Sequence, residues 1–232
     1  MCQFIISSSL SPIPPGEIES KRAIKASRRL PYSYLVLLHR TDLSPTAEEY
    51  PSYLNGNRME PGGLNQGYSL TSGFAFIFCP SIHQSAPLPF RYLGDEAMGA
   101  GDAYVVAFAQ RPSEARSTSF VSVEGETVPT FVQGIEWVDK NSFPIIRVRT
   151  DLLAPLPLPP SPLHPAPRSR RVLDQQTTEV RFAEVHFLGV VSPLWLPSEV
   201  NLCAKFIGDL FRNQHHDMSY ERRRVSSKIR TP

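Results

Sequence analysis

Three polar residues stand in or beside short apolar runs, where a regular backbone element would hold a reactive side chain in place. Arg40 follows the run YLVLLH, Ser122 lies within SFVSV, and Glu184 opens EVHFLGVV. The sequence has no glycine-rich phosphate loop, no HExxH or CxxC metal motif and no GxSxG nucleophile elbow. This ordered Arg, Ser and Glu set is therefore its main candidate for chemistry.

That order resembles the Arg-Ser-Glu class of ADP-ribosyltransferases, the class of cholera toxin and heat-labile enterotoxin. It is more similar still to uncharacterised fungal domains of that type. The resemblance covers about 34–199, with insertions near 60–100 and 152–172. The predicted helix after Ser122 and the strand IIRVRT fall where the family has them. It implies an α+β fold, a small twisted two-sheet domain interrupted by proline-rich insertions.

The resemblance also implies the substrate and the role of each residue. Enzymes of this class cleave the bond between nicotinamide and ribose in NAD through an oxocarbenium-like state, which needs a nearby carboxylate. By this resemblance Glu184 and Ser122 are catalytic, with Ser122 holding Glu184 in place, and Arg40 binds the phosphates of NAD. NAD is then a substrate of an ADP-ribosyltransferase or NAD glycohydrolase, and no metal is implied.

One residue departs from the family pattern. Members that modify arginine carry Glu or Gln two residues before the invariant glutamate, and this sequence has Phe182 there, on the same strand face as Glu184. Phe182 predicts hydrolysis of NAD rather than efficient transfer to arginine. A degenerate, catalytically silent fold stays open as an alternative.

A proline-rich segment supports a second class of function. Residues 154–167, APLPLPPSPLHPAP, contain seven prolines in fourteen positions, a composition typical of polyproline-like linkers and surface loops. We predict that 154–170 is an exposed, poorly packed loop whose deletion leaves the melting temperature nearly unchanged. The alternative function is a non-enzymatic viral or fungal accessory protein that binds a protein partner through this segment and its basic ends.

Charge, cysteine spacing and the length of the apolar runs bear on the binding partners and the cellular compartment of the protein. The net charge is only +2, which gives no overall attraction to nucleic acid, although the basic ends leave such binding open. The three cysteines are widely spaced, and no apolar run approaches the roughly 20 residues that span a bilayer. We expect an intracellular protein, cytoplasmic or nuclear, with no membrane partner and with His215, His216 and Asp217 at a solvated surface.

Short apolar runs between Gly and Pro residues predict the elements and the domain organisation. Apolar residues at near-helical spacing predict helices over 127–139 and 202–211. Residues 1–30 are expected to form a basic, mobile leader, 31–211 a single α+β domain with a proline-rich loop at 152–172, and 212–232 a disordered basic tail. The predicted strands are 34–39, 73–78, 104–109, 119–123, 145–148, 180–182 and 185–191.

Overall fold

The computed structural model describes residues 2–10, 31–40, 45–54, 57–58, 89–99, 101–111, 119–123, 126–158, 171–206 and 209–224. Within these ranges the chain forms β-strands and no helix. The strands are β1 (Cys2–Leu10), β2 (Pro31–Arg40), β3 (Pro45–Leu54), β4 (Asn57–Arg58), β5 (Phe90–Met98), β6 (Gly101–Ala109), β7 (Ser119–Val123), β8 (Glu126–Thr130), β9 (Val132–Asp139), β10 (Ile145–Leu152), β11 (Leu156–Pro157), β12 (Val172–Val185), β13 (Leu194–Phe206) and β14 (Asp209–Arg224).

One antiparallel sheet contains twelve of these strands. Its order is β4-β3-β2-β1-β14-β13-β12-β10-β9-β6-β5, and β11 pairs with one end of β12. The strands β7 and β8 form a separate two-stranded sheet. Pairing of β1 with β14, from Cys2 opposite Arg224 to Leu10 opposite His215, joins the early and late strands into one sheet.

The large sheet has an apolar face that forms the core. The strand register aligns Val106, Glu136, Val148, Val180 and Val200 across five neighbouring strands, so all five side chains share this face. The buried side chains of this face include Phe108, Val132, Val180, Val200, Leu202 and Ala204.

The beginning of the proline-rich segment belongs to this core. Leu156 and Pro157 pair with β12, and the Leu158 N–H donates to the Arg171 carbonyl at 2.8 Å. Leu158 is only 1% exposed and packs with Leu173 and its neighbours. The prediction of a poorly packed loop is therefore wrong for 156–158, and residues 159–170 lie outside the described part of the chain.

The predicted α+β class is wrong, because the described residues form an all-β structure. The segment 127–139, predicted as a helix, forms most of β8 and all of β9, and 202–211 lies in β13 and β14 wherever it is described. Val128, Val132 and Val138 occupy near-helical spacing, yet β-branched residues favour strands and here gain cross-strand partners. The expected two-sheet, ADP-ribosyltransferase-like architecture is replaced by one large antiparallel sheet and a hairpin.

Several strand predictions are confirmed. The runs at 34–39, 104–109, 119–123 and 145–148 lie within β2, β6, β7 and β10, and 180–182 lies within β12. The predicted strand at 185–191 is wrong beyond Val185, since a turn with Gly189 at φ 75° follows. The run 73–78 lies outside the described residues.

The two chain regions expected to flank the domain contribute strands to the sheet. Residues 2–10, within the expected leader, form β1, and residues 212–224, within the expected tail, lie in β14. Among the described residues, none forms a helix long and apolar enough to cross a membrane.

Candidate functional site

The three residues of the sequence hypothesis lie on different strands. Arg40 ends β2, Ser122 lies in the separate β7–β8 hairpin, and Glu184 pairs with Trp195 near the end of β12. Between β2 and β12 stand β1, β14 and β13, a separation of about 19 Å along the sheet. The sheet thus does not place Arg40 and Glu184 on neighbouring strands, and their roles with NAD stay predictions.

The surroundings of Glu184 are those of a surface residue. Its carboxylate is exposed and lies 4.0 Å from Nε2 of His186, which is exposed as well. Phe182, two residues earlier, pairs with Pro197 and is half-buried. These contacts give Glu184 a solvated charge rather than the enclosed position in which a carboxylate acts most strongly on a cation.

His215 differs from its expected surface position. It lies in β14 between Val200 of β13 and Leu10 of β1, and its side chain is buried. No group of three His, Cys, Asp or Glu residues that could hold a metal ion occurs within the described ranges. Burial raises the pKa of the half-buried Cys203 thiol, so the reactive thiolate is disfavoured there.

The face opposite the apolar core carries a row of ion pairs. Arg147 lies 3.0 Å from Glu179, and Arg181 lies 3.7 Å from both Glu179 and Glu199. The Arg147 guanidinium also stacks on Trp137, 4.4 Å from the ring centroid. Because these carboxylates are paired with arginines across neighbouring strands, the row stabilises the sheet and offers little free charge to a ligand.

Four exposed aromatic side chains lie near the β5 end of the large sheet. We call Phe90, Tyr92, Tyr104 and Phe143 the aromatic surface. Their exposed fractions range from 36% to 67%, whereas Phe108 on the same face is 4% exposed. Burial of this face therefore decreases from Phe108 toward the aromatic surface.

Ring contacts connect three members of the aromatic surface, and the fourth contacts the buried core. The rings of Tyr104 and Phe143 lie nearly parallel, 13° apart, with centroids separated by 6.4 Å. Tyr92 meets Tyr104 edge to face at 6.3 Å, and Phe90 contacts the buried Phe108 at 6.2 Å. Such pairs favour a defined arrangement of the rings, so the surface is organised before any partner arrives.

Two carboxylates and one ammonium group frame the rings. The Tyr92 hydroxyl donates to Asp95 at 2.5 Å, and Lys140 Nζ lies 2.7 Å from the same carboxylate. Lys140 is 3.9 Å from Asp102 and 5.3 Å from the Tyr104 ring centroid. The hydrogen bonds from Lys140 and Tyr92 lower the pKa of Asp95, and Asp95 raises the pKa of both partners.

Phe143 adopts a backbone conformation that its side chain disfavours. Its φ is 61°, in the left-handed region that glycine and asparagine enter most readily. Asp139 holds the turn: its Oδ1 accepts from the backbone N–H groups of Asn141 and Ser142, and its carbonyl accepts from Phe143 N–H at 3.1 Å. These bonds fix a large aromatic ring in solvent at a position suited to glycine.

The strand β5, which carries half of this surface, was not predicted from the sequence. The run 104–109 was predicted as a strand, whereas 89–98 was placed within an insertion. A local signal was present: the apolar runs around Tyr92 and Tyr104 flank Gly99 and Gly101, a pattern typical of a β-hairpin.

Comparisons with known proteins add little to this geometry. No family model and no curated protein matches the sequence. A crystal structure from Vibrio parahaemolyticus, described as an outer membrane lipoprotein-sorting protein domain, matches with a TM-score of 0.37 and 11% identity. The match covers 95% of this chain and 85% of that chain, and at this similarity it supports no conclusion about function.

Proposed function

We propose that this is a non-enzymatic interaction protein that binds a polypeptide partner on its aromatic surface. The observation that carries the proposal is a group of four exposed aromatic side chains near β5, three of them linked by ring contacts. Contiguous exposed apolar patches of this kind mark binding surfaces in soluble proteins. Tyr and Phe bury large areas while losing few side-chain rotations, which suits them to partner recognition.

The charges around the rings favour a polypeptide over a nucleic acid. Aromatic side chains also stack on single-stranded bases, but such sites need a positively charged groove for the phosphates. Here Asp95 and Asp102 outnumber Lys140, whose ammonium group is already engaged by Asp95. The surface therefore repels a phosphate backbone and favours a partner with cationic groups.

Recognition is expected through side chains rather than by addition of a strand to β5. The β5–β6 register shifts between Tyr92 and Gly94, and Gly94 has φ 134°, so β5 contains a bulge. Bulges and charged residues are the devices by which sheet edges resist pairing with another strand. Arg91, Asp95 and Glu96 supply such charges along β5.

A displayed library of random peptides tests this function. Immobilised wild-type protein should retain peptides that the Tyr92→Ser/Phe143→Ser variant loses by about tenfold or more, as expected when central aromatic contacts are removed. The matched control is Leu188→Ser/Val191→Ser, because both residues are fully exposed in a turn outside the aromatic surface. Equal retention on all three proteins would contradict the proposal.

NAD cleavage is the competing hypothesis, and one measurement separates the two. We expect no nicotinamide release from NAD above the rate of the Glu184→Gln variant. Release by wild type that falls by orders of magnitude in Glu184→Gln would instead establish catalysis by that carboxylate.

A further inference from the structure

We propose that the aromatic surface of one copy of this chain binds residues 159–170 of a second copy. The inference rests on the proposed function and specifies the partner of the same surface. The segment reads PPSPLHPAPRSR, so it combines five prolines with two arginines. Each of these two features matches a different part of the surface.

The prolines match the rings. A proline-rich chain adopts the extended polyproline II conformation with little loss of entropy on binding, and exposed aromatic side chains are the usual platform for it. Tyr92, Tyr104 and Phe143 provide such a platform, with two nearly parallel rings and a third edge-on. Because the bulge in β5 disfavours pairing with another strand, the segment would contact mainly these side chains.

The arginines match the carboxylates. Asp102 is 64% exposed, and its distance of 3.9 Å to Lys140 is long for an ion pair. It is thus open to a second cation, and a guanidinium forms the stronger, two-pronged bond with a carboxylate. Arg168 and Arg170 follow directly on the last prolines of the segment.

Covalent geometry requires that the segment come from another copy. The backbones of Leu158 and Arg171 are hydrogen-bonded to each other beside one end of β12. Residues 159–170 therefore connect two positions that lie next to each other. Twelve residues that do so extend no more than about 20 Å from it. Through the register of β9 and β10, Tyr104 is level with the other end of β12, about 40 Å away along the strand.

Two copies can exchange the segment reciprocally in a two-fold dimer, or each copy can bind the next one and give a ring or an open chain. In either case the expected behaviour is association that grows with protein concentration.

The conformation of Phe143 is a second, independent observation in favour of binding. A non-glycine residue at φ 61° is strained, and its ring gains only a partial, solvent-exposed contact with Tyr104. Strained backbone positions of this kind concentrate at ligand-binding sites. Binding of the segment would place that ring between Tyr104 and the incoming prolines.

Sedimentation velocity on the full chain tests the inference. Wild-type protein should sediment faster as its concentration rises, and Phe143→Gly should sediment as a monomer throughout. Asp102→Asn should weaken association severalfold and reduce its dependence on salt. Association that Phe143→Gly leaves unchanged would overturn the inference.

A synthetic peptide of residues 159–170 provides a second test of the inference. The peptide should dissociate wild-type oligomers and bind Phe143→Gly at least about tenfold more weakly. A control peptide with the prolines changed to alanine and the arginines to glutamine should do neither. A wild-type chain that stays monomeric overturns the second-copy source, even where the peptide binds.

The two proposals fail in distinguishable ways. Library peptides that need the aromatic surface but do not compete with the 159–170 peptide overturn this inference and leave the proposed function standing. A library that yields no peptide dependent on Tyr92 and Phe143 overturns both.

Discussion

The ring of Phe108 lies against Gly134 across the β6–β9 pair, where the two residues stand directly opposite each other. A β-carbon at position 134 would lie 2.6 Å from Cζ of Phe108 and would also strike the Arg149 carbonyl. The φ of Gly134 is not in the left-handed region, so backbone conformation does not require glycine here. Glycine is required because the neighbouring atoms leave no room for a β-carbon. This contact closes the apolar core just inside the aromatic surface.

Gly134→Ala should lower the free energy of unfolding by about 1–3 kcal/mol, the usual cost of overpacking a core. Gly101→Ala is the matched control, because a β-carbon there meets only Asp139 Oδ2 at an ordinary 3.7 Å. Denaturant unfolding of the two variants gives the comparison. Similar midpoints for both would contradict the packing described for Phe108.

Leu158→Ala should lower the free energy of unfolding by about 2–5 kcal/mol, since it removes a fully buried side chain from the core. Leu188→Ala removes the same atoms from solvent and should change stability by less than about 0.5 kcal/mol. Thermal melting of the two variants measures the difference. A small effect of Leu158→Ala would restore the original prediction of an unpacked proline-rich loop.

Phe143→Gly should leave the free energy of unfolding unchanged or raise it by up to about 1 kcal/mol. Relief of the left-handed strain outweighs the lost contact with Tyr104 and the added chain entropy of glycine. Phe143→Asn, which also tolerates this conformation, should behave similarly. Destabilisation by both variants in denaturant would assign Phe143 a structural role instead.

We expect the free energy of unfolding to depend on pH through the carboxyl group of Glu136. It lies on the apolar face between Val106 and Val148, and burial raises its pKa above the ordinary value of 4.5. The folded state then binds the proton more tightly than the unfolded state. The contribution of Glu136 to the free energy of unfolding therefore falls as the pH rises above the pKa of this carboxyl in the unfolded chain. Glu136→Gln should stabilise the protein at neutral pH and make little difference below about pH 4.

Denaturant unfolding of wild type and Glu136→Gln at neutral pH and below about pH 4 measures this difference. The control is Glu184→Gln, which changes an exposed carboxylate and should leave stability unchanged at both pH values. If Glu136→Gln is destabilising at neutral pH, its carboxylate has a stabilising partner and the prediction is wrong.

Strand formation was readable from the sequence wherever the signal is local. The runs that became β2, β6, β7 and β10 are short, rich in β-branched or aromatic residues, and bounded by Gly, Pro or polar residues. Alternation and propensity act over a few residues, so they appear in the sequence without knowledge of the fold. The hairpin around Gly99 and Gly101 belongs to the same class, although its first strand was missed.

The sequence by itself therefore determined that 34–39 and 104–109 are strands. Only the tertiary structure decided that 127–139 and 202–211 are strands, that His215 is buried and that Phe143 stands exposed. A strand is stabilised by partners that can lie far away in the chain, as Cys2 and Arg224 do, and near-helical spacing cannot exclude such pairing. Exposure of the aromatic surface is a property of the assembled sheet, and no single segment determines it.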